Sequence, residues 1–424
     1  MTANVEPRTS APEVEVPVST KPRIIGLDGA RGLSCLGVAV MHICGHYSPN
    51  TASAYRTNLF GTGLIFFYVL SGFLLFLPYL RNLMADRESA TLPSTKNFAI
   101  HRFARIMPGY LAIFLLCNYV FSVAYVENAA MQPPRTDEGT GTITDIWQLL
   151  ANLTLVQSYV PQYFQTGLNP SWSLTLEFAF YASLPVLGAL LFMLRRRTSL
   201  PPFGIALIAP GLLLVVGFVG KLLVPLLMAH FGVTDRLLVD WGPNWVAVFL
   251  RSFIASADNF AFGMLAAVVV VAIERRVLRE SVSRRVRTIA AVAALPAALL
   301  CAVLLGSGGV MSLFGVSAVA LLAGLAILVI VAPLMRGETS AIANLLEMAP
   351  FRFIGEISLS AYLWHFPVML LLGRAGVMAS DTLGGMLWNV AIGLSAAVLI
   401  SVVTYYVVER PAVNWAKRYR YGMV

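Results

Sequence analysis

Residues 203–229 read FGIALIAPGLLLVVGFVGKLLVPLLMA. The run is apolar over a length that crosses a bilayer as one helix. Nine other stretches share its character: 30–48, 60–80, 106–126, 172–194, 246–273, 288–306, 311–335, 353–373 and 385–408. The 424-residue chain is 58% hydrophobic and only 12% charged, about half the charge fraction of a soluble protein. The fold class read from this is all-α: a polytopic transmembrane bundle of about ten spans.

The basic residues give the spans a direction. With the N-terminus in the cytoplasm, about 23 of the 30 Lys and Arg residues fall in inner segments. They include Arg81 to Arg105, Arg195 to Arg197 and Arg275 to Arg287; the outer loops hold Arg56, Arg135, Arg236 and Arg374. This is the asymmetry of the positive-inside rule. An even number of spans then puts both termini in the cytoplasm. The net charge of +9 follows from topology, and no nucleic-acid partner is needed to explain it. Residues 1–22 are polar and rich in Pro, Glu, Ser and Thr, so they read as a disordered cytoplasmic tail and not a signal peptide. Residues 23–411 form the transmembrane domain, and 412–424 a second cytoplasmic tail. The sizeable outer loop runs from Glu127 to Pro170, with an amphipathic interfacial segment from Ile146 to Tyr163.

Ionisable residues inside spans are expensive, and they mark candidate sites. Arg31 and His42 lie eleven residues apart in the first span, almost three helical turns, so they share a face and stand roughly 16 Å apart along the axis. An imidazole at that depth suits general-base work on a hydroxyl. A guanidinium at the inner mouth suits phosphate. Arg102 and Arg105, three apart in the inner turn before the third span, form a second candidate phosphate clamp. Glu177 sits inside the fourth span with Tyr181 one turn on, and a carboxylate there needs a partner. Trp172 and Ser173 open that span; taken alone, Trp172 suits an interfacial belt. In the ninth span Ser358, Tyr362 and His365 make one polar face, suited to lining a cavity or touching the first helix. Ser71-Gly72 in the second span reads as a close helix contact. Arg251 and Asp258, seven apart, read as an internal ion pair. The four cysteines, Cys35, Cys44, Cys117 and Cys301, all fall in spans without metal-ligand spacing, so no metal is expected.

Taken in order, these elements resemble the integral-membrane acyltransferase 3 family over residues 24 to 411. The elements are Arg31 with His42, "FFYVLSGF", "HRFARIMPGY", "NPSWSLTLEFAFY", "DNFAFGMLAA", "ISLSAYLWHFP" and "VERP". The resemblance implies transfer of an acyl group, often acetyl, from cytoplasmic acyl-CoA to a hydroxyl of a carbohydrate-containing acceptor. That acceptor is an envelope polysaccharide or glycolipid, or, in some members, a macrolide or another secondary metabolite. It implies that Arg31 and His42 are the essential pair, that Arg102 and Arg105 carry the basic motif, and that Glu177 belongs to the tryptophan-serine-leucine-glutamate motif. Glu177 is a candidate to orient His42. Ser71, Trp172, Ser173, Tyr181, Ser358, Tyr362 and His365 are expected on the acceptor side or cavity wall. Acyl-CoA is the donor substrate; no permanently bound cofactor is expected, and the location is a bacterial plasma membrane. His101 replaces a frequent arginine of the basic motif. The chain ends shortly after "VERP", from which action by one domain, or with a separate extracytoplasmic partner, follows. The rival class is a glycolipid transporter or flippase, for which the sequence offers no inverted repeat.

Overall fold

The computed structural model describes residues 23–88 and 90–419; the expected tail 1–22, and the last five residues of the second tail, lie outside them. Ten long helices dominate: α1 (Leu27–Tyr47), α2 (Gly63–Leu83), α3 (Thr95–Leu115), α4 (Trp172–Arg197), α5 (Ile208–Phe231), α6 (Phe253–Glu274), α7 (Glu280–Gly306), α8 (Gly309–Val331), α9 (Ser358–Arg374) and α10 (Leu383–Thr404). Among the described residues nine helices are long and apolar enough to cross a membrane, and α9 together with the short helix Ala349–Glu356 has the length and composition of a tenth, bent span. In hydrocarbon a helix satisfies its own backbone groups, which is why these runs take this form. The chain is a multi-pass membrane protein.

Small residues decide the closest packing. Whereas α7 is largely exposed, α6 is deeply enclosed. It carries Ala257, Ala261, Gly263 and Ala267 on buried positions. A Cβ at Gly263 would fall on the Val69 carbonyl, and one at Gly72 on that of Phe260. The expected close contact at Gly72 is therefore α2 against α6. Gly29 and Gly32 of α1 meet the backbone of Leu346 and Gly355 in the same manner, and this brings α1 against the start of the ninth span. Gly263→Leu is expected to lower stability by about 1–3 kcal/mol, the usual cost of overpacking. Gly211→Ala, where no atom lies within 4 Å of the new Cβ, is the neutral control. Thermal unfolding midpoints of the purified variants check it.

Three expectations are corrected. The third helix begins at Thr95, not 106, because the Ser94 hydroxyl accepts from the Asn97 amide and caps it. The basic motif thus lies within α3, not in a turn before it. The ninth span is bent by 73° between Glu356 and Ser358. Arg251 and Asp258 do not pair with each other. The helix Trp245–Leu250 ends before Arg251, and α6 starts after it, so the seven-residue spacing no longer sets a common face. Asp258 instead takes Lys221 at 2.5 Å, while Arg251 faces Asp240 at 3.6 Å.

The segment between α3 and α4 carries two short antiparallel strands, β1 (Ala124–Tyr125) and β2 (Thr140–Gly141). The helix Ile146–Leu153 follows, capped by Asp145. Its Ile146, Trp147 and Leu150 are exposed, as an interfacial segment requires.

Candidate active site

α1 and α9 run side by side and are tied at two levels. At the end of the bundle where α1 begins, Arg31 Nε donates to Ser358 Oγ at 3.1 Å and Nη2 to the Gly355 carbonyl at 2.6 Å; Asp28 pairs with the same guanidinium at 3.0 Å. Further along, His42 Nδ1 and His365 Nε2 lie 2.9 Å apart. Their ring planes differ by 11° and their centroids are 5.1 Å apart. The Phe366 ring stands edge-on to His42 at 5.4 Å. His42 is half-buried and His365 fully enclosed.

Between α1, α2, α3, α4 and α9 lies a cavity of about 130 Å³. Arg31, Arg102 and Arg105 all line it. Two of them already have carboxylate partners: Asp28 for Arg31, and Glu409 for Arg105 at 3.5 Å. Glu409 is fully buried and also accepts from the Ser360 hydroxyl. Arg102 has no carboxylate within salt-bridge distance among the described residues, and its Nε is buried without a hydrogen-bond partner. Its guanidinium stands 6.0 Å from the Tyr181 ring. Glu177 accepts from Ser71 Oγ at 2.6 Å and makes no ion pair with these arginines. Unpaired positive charge in a low-dielectric pocket is costly, and an anionic ligand is what relieves it.

The structure thus brings Arg31, Arg102 and Arg105 together on one wall, although α1 and α3 are far apart in sequence. Glu177, Tyr181, Ser71, Ser173, Ser358 and Tyr362 add to the polar lining, as does Tyr68, which the sequence reading did not single out. At the far side Tyr362 shares a hydrogen bond with Ser173 at 2.7 Å and donates to the Pro170 carbonyl at 3.1 Å. The histidine pair lies beyond that tyrosine, with the His365 ring 5.8 Å from it. Two placements differ from expectation. The ring partner of His42 is His365, and Glu177 is engaged with Ser71. Trp172 does not line the cavity: it is buried edge-on to Trp241 at 5.2 Å, with the Arg251 guanidinium 5.6 Å from its ring and 3.7 Å from that of Trp241. A neighbouring aromatic and a cation give it a better site than the interface.

Sequence reasoning missed Glu409, which was visible only as a letter of a closing motif. An acidic residue at the end of the last apolar run was the available signal. It also missed how the loop closes over the end of α1. His46 bonds the Thr136 carbonyl at 2.8 Å. Arg135 donates to the Tyr47 carbonyl, and Arg374 clamps Asp137 and the carbonyls of Phe121 and Ser122. The hydrogen bond from Arg374 holds the Asp137 carboxyl below the usual carboxylate range. Among the described residues no His, Cys, Asp and Glu cluster is placed to hold a metal. The four cysteines are free and buried.

The sequence profile of the family described as "Acyltransferase domain" matches residues 24–406. The chain is 32% identical over 173 residues to the acyltransferase MdmB of Streptomyces mycarofaciens, a stretch covering 39% of each chain. It is 23% identical over 196 residues to a Staphylococcus aureus strain COL protein that bears an O-acetyltransferase name (SACOL0978), covering 46% of this chain and 30% of that one. The matched stretch is thus well under half the length of these relatives. No solved structure matches.

Proposed function

The chain belongs to the acyltransferase domain family, and on that premise we propose that it is a membrane O-acyltransferase using acyl-CoA, with acetyl as its simplest acyl group. The acceptor is a hydroxyl of a carbohydrate-containing molecule of the cell envelope, and the membrane is a bacterial plasma membrane. The observation that carries this reading is the gathering of three guanidinium groups on one cavity wall, at one end of a helix whose other half bears His42. A nucleotide thioester is anionic at one end and reactive at the other. Its phosphates would sit with Arg31, Arg102 and Arg105, and its linear arm would run along α1 toward the imidazole.

His42 would then act on the acceptor. Its Nε2 makes no hydrogen bond among the described residues, so that nitrogen is free to take a proton. As the acceptor O–H breaks, the oxygen attacks the thioester carbonyl. The C–S bond then breaks, and the departing thiolate recovers the proton from His42. The cycle consumes no net proton and requires no metal-activated water.

The basic residues give the direction. With Arg195 to Arg197 in the cytoplasm and the Glu127–Pro170 loop outside, acyl-CoA meets the arginine wall from the cytoplasm and the acceptor approaches from the loop side. The Lys and Arg excess in the short loops sets the orientation of the spans, which opposes the inverted arrangement. Single cysteines at Arg196 and Glu138, both exposed, treated with an impermeant thiol reagent in intact cells, test this. Labelling is expected at position 138 and not at 196. The reverse pattern overturns the direction of transfer.

A further inference from the structure

We propose that His365 is a positioning residue for the reaction: its Nε2 accepts the Nδ1 proton of His42 and so fixes the tautomer in which His42 Nε2 is the free base. The proposal rests on the reading of His42 as the base, and it adds a part that the arginine cavity does not supply.

The geometry is specific. An N···N distance of 2.9 Å together with centroids 5.1 Å apart requires both nitrogens to point along the line of centres. With ring planes only 11° apart, the rings lie edge to edge in nearly one plane and are not stacked face to face. Each nitrogen therefore meets the other along its own in-plane bond or lone-pair direction, the favourable arrangement for a hydrogen bond. One proton is shared across this contact, so one ring must donate and the other accept.

The role of His42 as base chooses which. A proton-free Nε2 on His42 puts the one proton of that ring on Nδ1, and the Nε2 of His365 is then the acceptor. The other nitrogen of His365, Nδ1, is buried without a hydrogen-bond partner. His42 then donates from Nδ1, and its proton-free nitrogen is Nε2. Were His365 the donor, His42 would carry its own proton on Nε2 and meet the acceptor hydroxyl as the wrong tautomer.

Alternative partners for His42 are engaged elsewhere. Glu177 is bonded to Ser71, and Glu409 to Ser360 and Arg105. His46 is turned to the Thr136 carbonyl. A neutral imidazole thus fills the place that a carboxylate takes in a serine-hydrolase triad. It orients the base without adding a negative charge to an enclosed, membrane-embedded site, where an unpaired charge is costly. During transfer the proton taken at Nε2 makes His42 cationic. His365 stabilises that cation by accepting from Nδ1, and it does not itself need to change protonation state. Phe366, edge-on to His42, limits rotation of the ring out of this plane.

The test compares four substitutions at position 365 in the full-length protein reconstituted in nanodiscs. The probe is acetyl-CoA, and the readout is thiol release with water as acceptor. His365→Ala and His365→Phe remove the acceptor, the second while keeping aromatic bulk. His365→Gln can return a carbonyl oxygen to about the place of Nε2, and His365→Asn is too short to do so. The expected result is a fall in kcat of roughly 100-fold for Ala, Phe and Asn, the usual scale for loss of an orienting partner. KM for acetyl-CoA should stay within about twofold, and Gln should recover about tenfold over Phe at equal thermal midpoints. Gln no better than Phe, or Ala within about threefold of the parent, overturns the proposal. Thiol release that survives in His42→Ala overturns the underlying reading of His42 instead, so the two failures are distinguishable.

Discussion

His42→Ala is expected to abolish acyl transfer while the protein still inserts, folds and binds acyl-CoA. The loss should be at least about 10²-fold, since a positioned general base contributes roughly 10²–10⁴-fold. The structural argument is that His42 is half-buried, tied through Nδ1 alone, and flanked by an aromatic edge and a second imidazole. It makes no ion pair, and its removal leaves only His365 without a partner. Stability should therefore change far less than activity. Single-turnover transfer from radiolabelled acetyl-CoA, set beside the thermal midpoint, checks both halves. Retention of more than about a tenth of the activity would remove His42 from the role of base.

Arg102→Ala should weaken use of acyl-CoA by about 10–100-fold in kcat/KM, the equivalent of one lost charge-assisted hydrogen bond of roughly 1.5–3 kcal/mol. It should leave use of a truncated thioester lacking the nucleotide within about threefold. Arg102 is the most informative of the three arginines because it has no carboxylate partner and its Nε is unsatisfied. Arg31→Ala loses more than a phosphate contact: it leaves Asp28 with Arg23 alone, frees Ser358 and the Gly355 carbonyl, and should also lower the unfolding midpoint. Arg105→Ala leaves Glu409 buried beside Ser360 alone, with the same consequence. Equal losses with both donors for Arg102→Ala would make it a packing residue.

The spans were legible because hydrocarbon enforces a single length and a single composition on every crossing. The shared face of Arg31 and His42 was legible for a similar reason: both sit on one unbroken helix, and helical period fixes direction. The same rule failed for Arg251 and Asp258, where a break at the start of α6 cancels the period. It also failed to anticipate the 73° bend before Ser358, because no proline marks it. Proline residues 108 and 185, by contrast, lie within α3 and α4 without ending them. Partners contributed from distant helices were the least legible part. That Glu409 would hold Arg105, and His365 rather than Glu177 would meet His42, depends on packing across the bundle. The glycines of α1 and residue 355 that bring those helices together gave the clearest local hint.

The central claim is that an anionic thioester donor spans the distance from the arginine wall to His42. A cryo-electron microscopy structure of the protein with coenzyme A bound in nanodiscs measures this directly. The account predicts phosphates against Arg31, Arg102 and Arg105, an arm running along α1, and the thiol within reach of His42 Nε2. A nucleotide seated at the loop end of the bundle, or a thiol remote from the histidine pair, would contradict it.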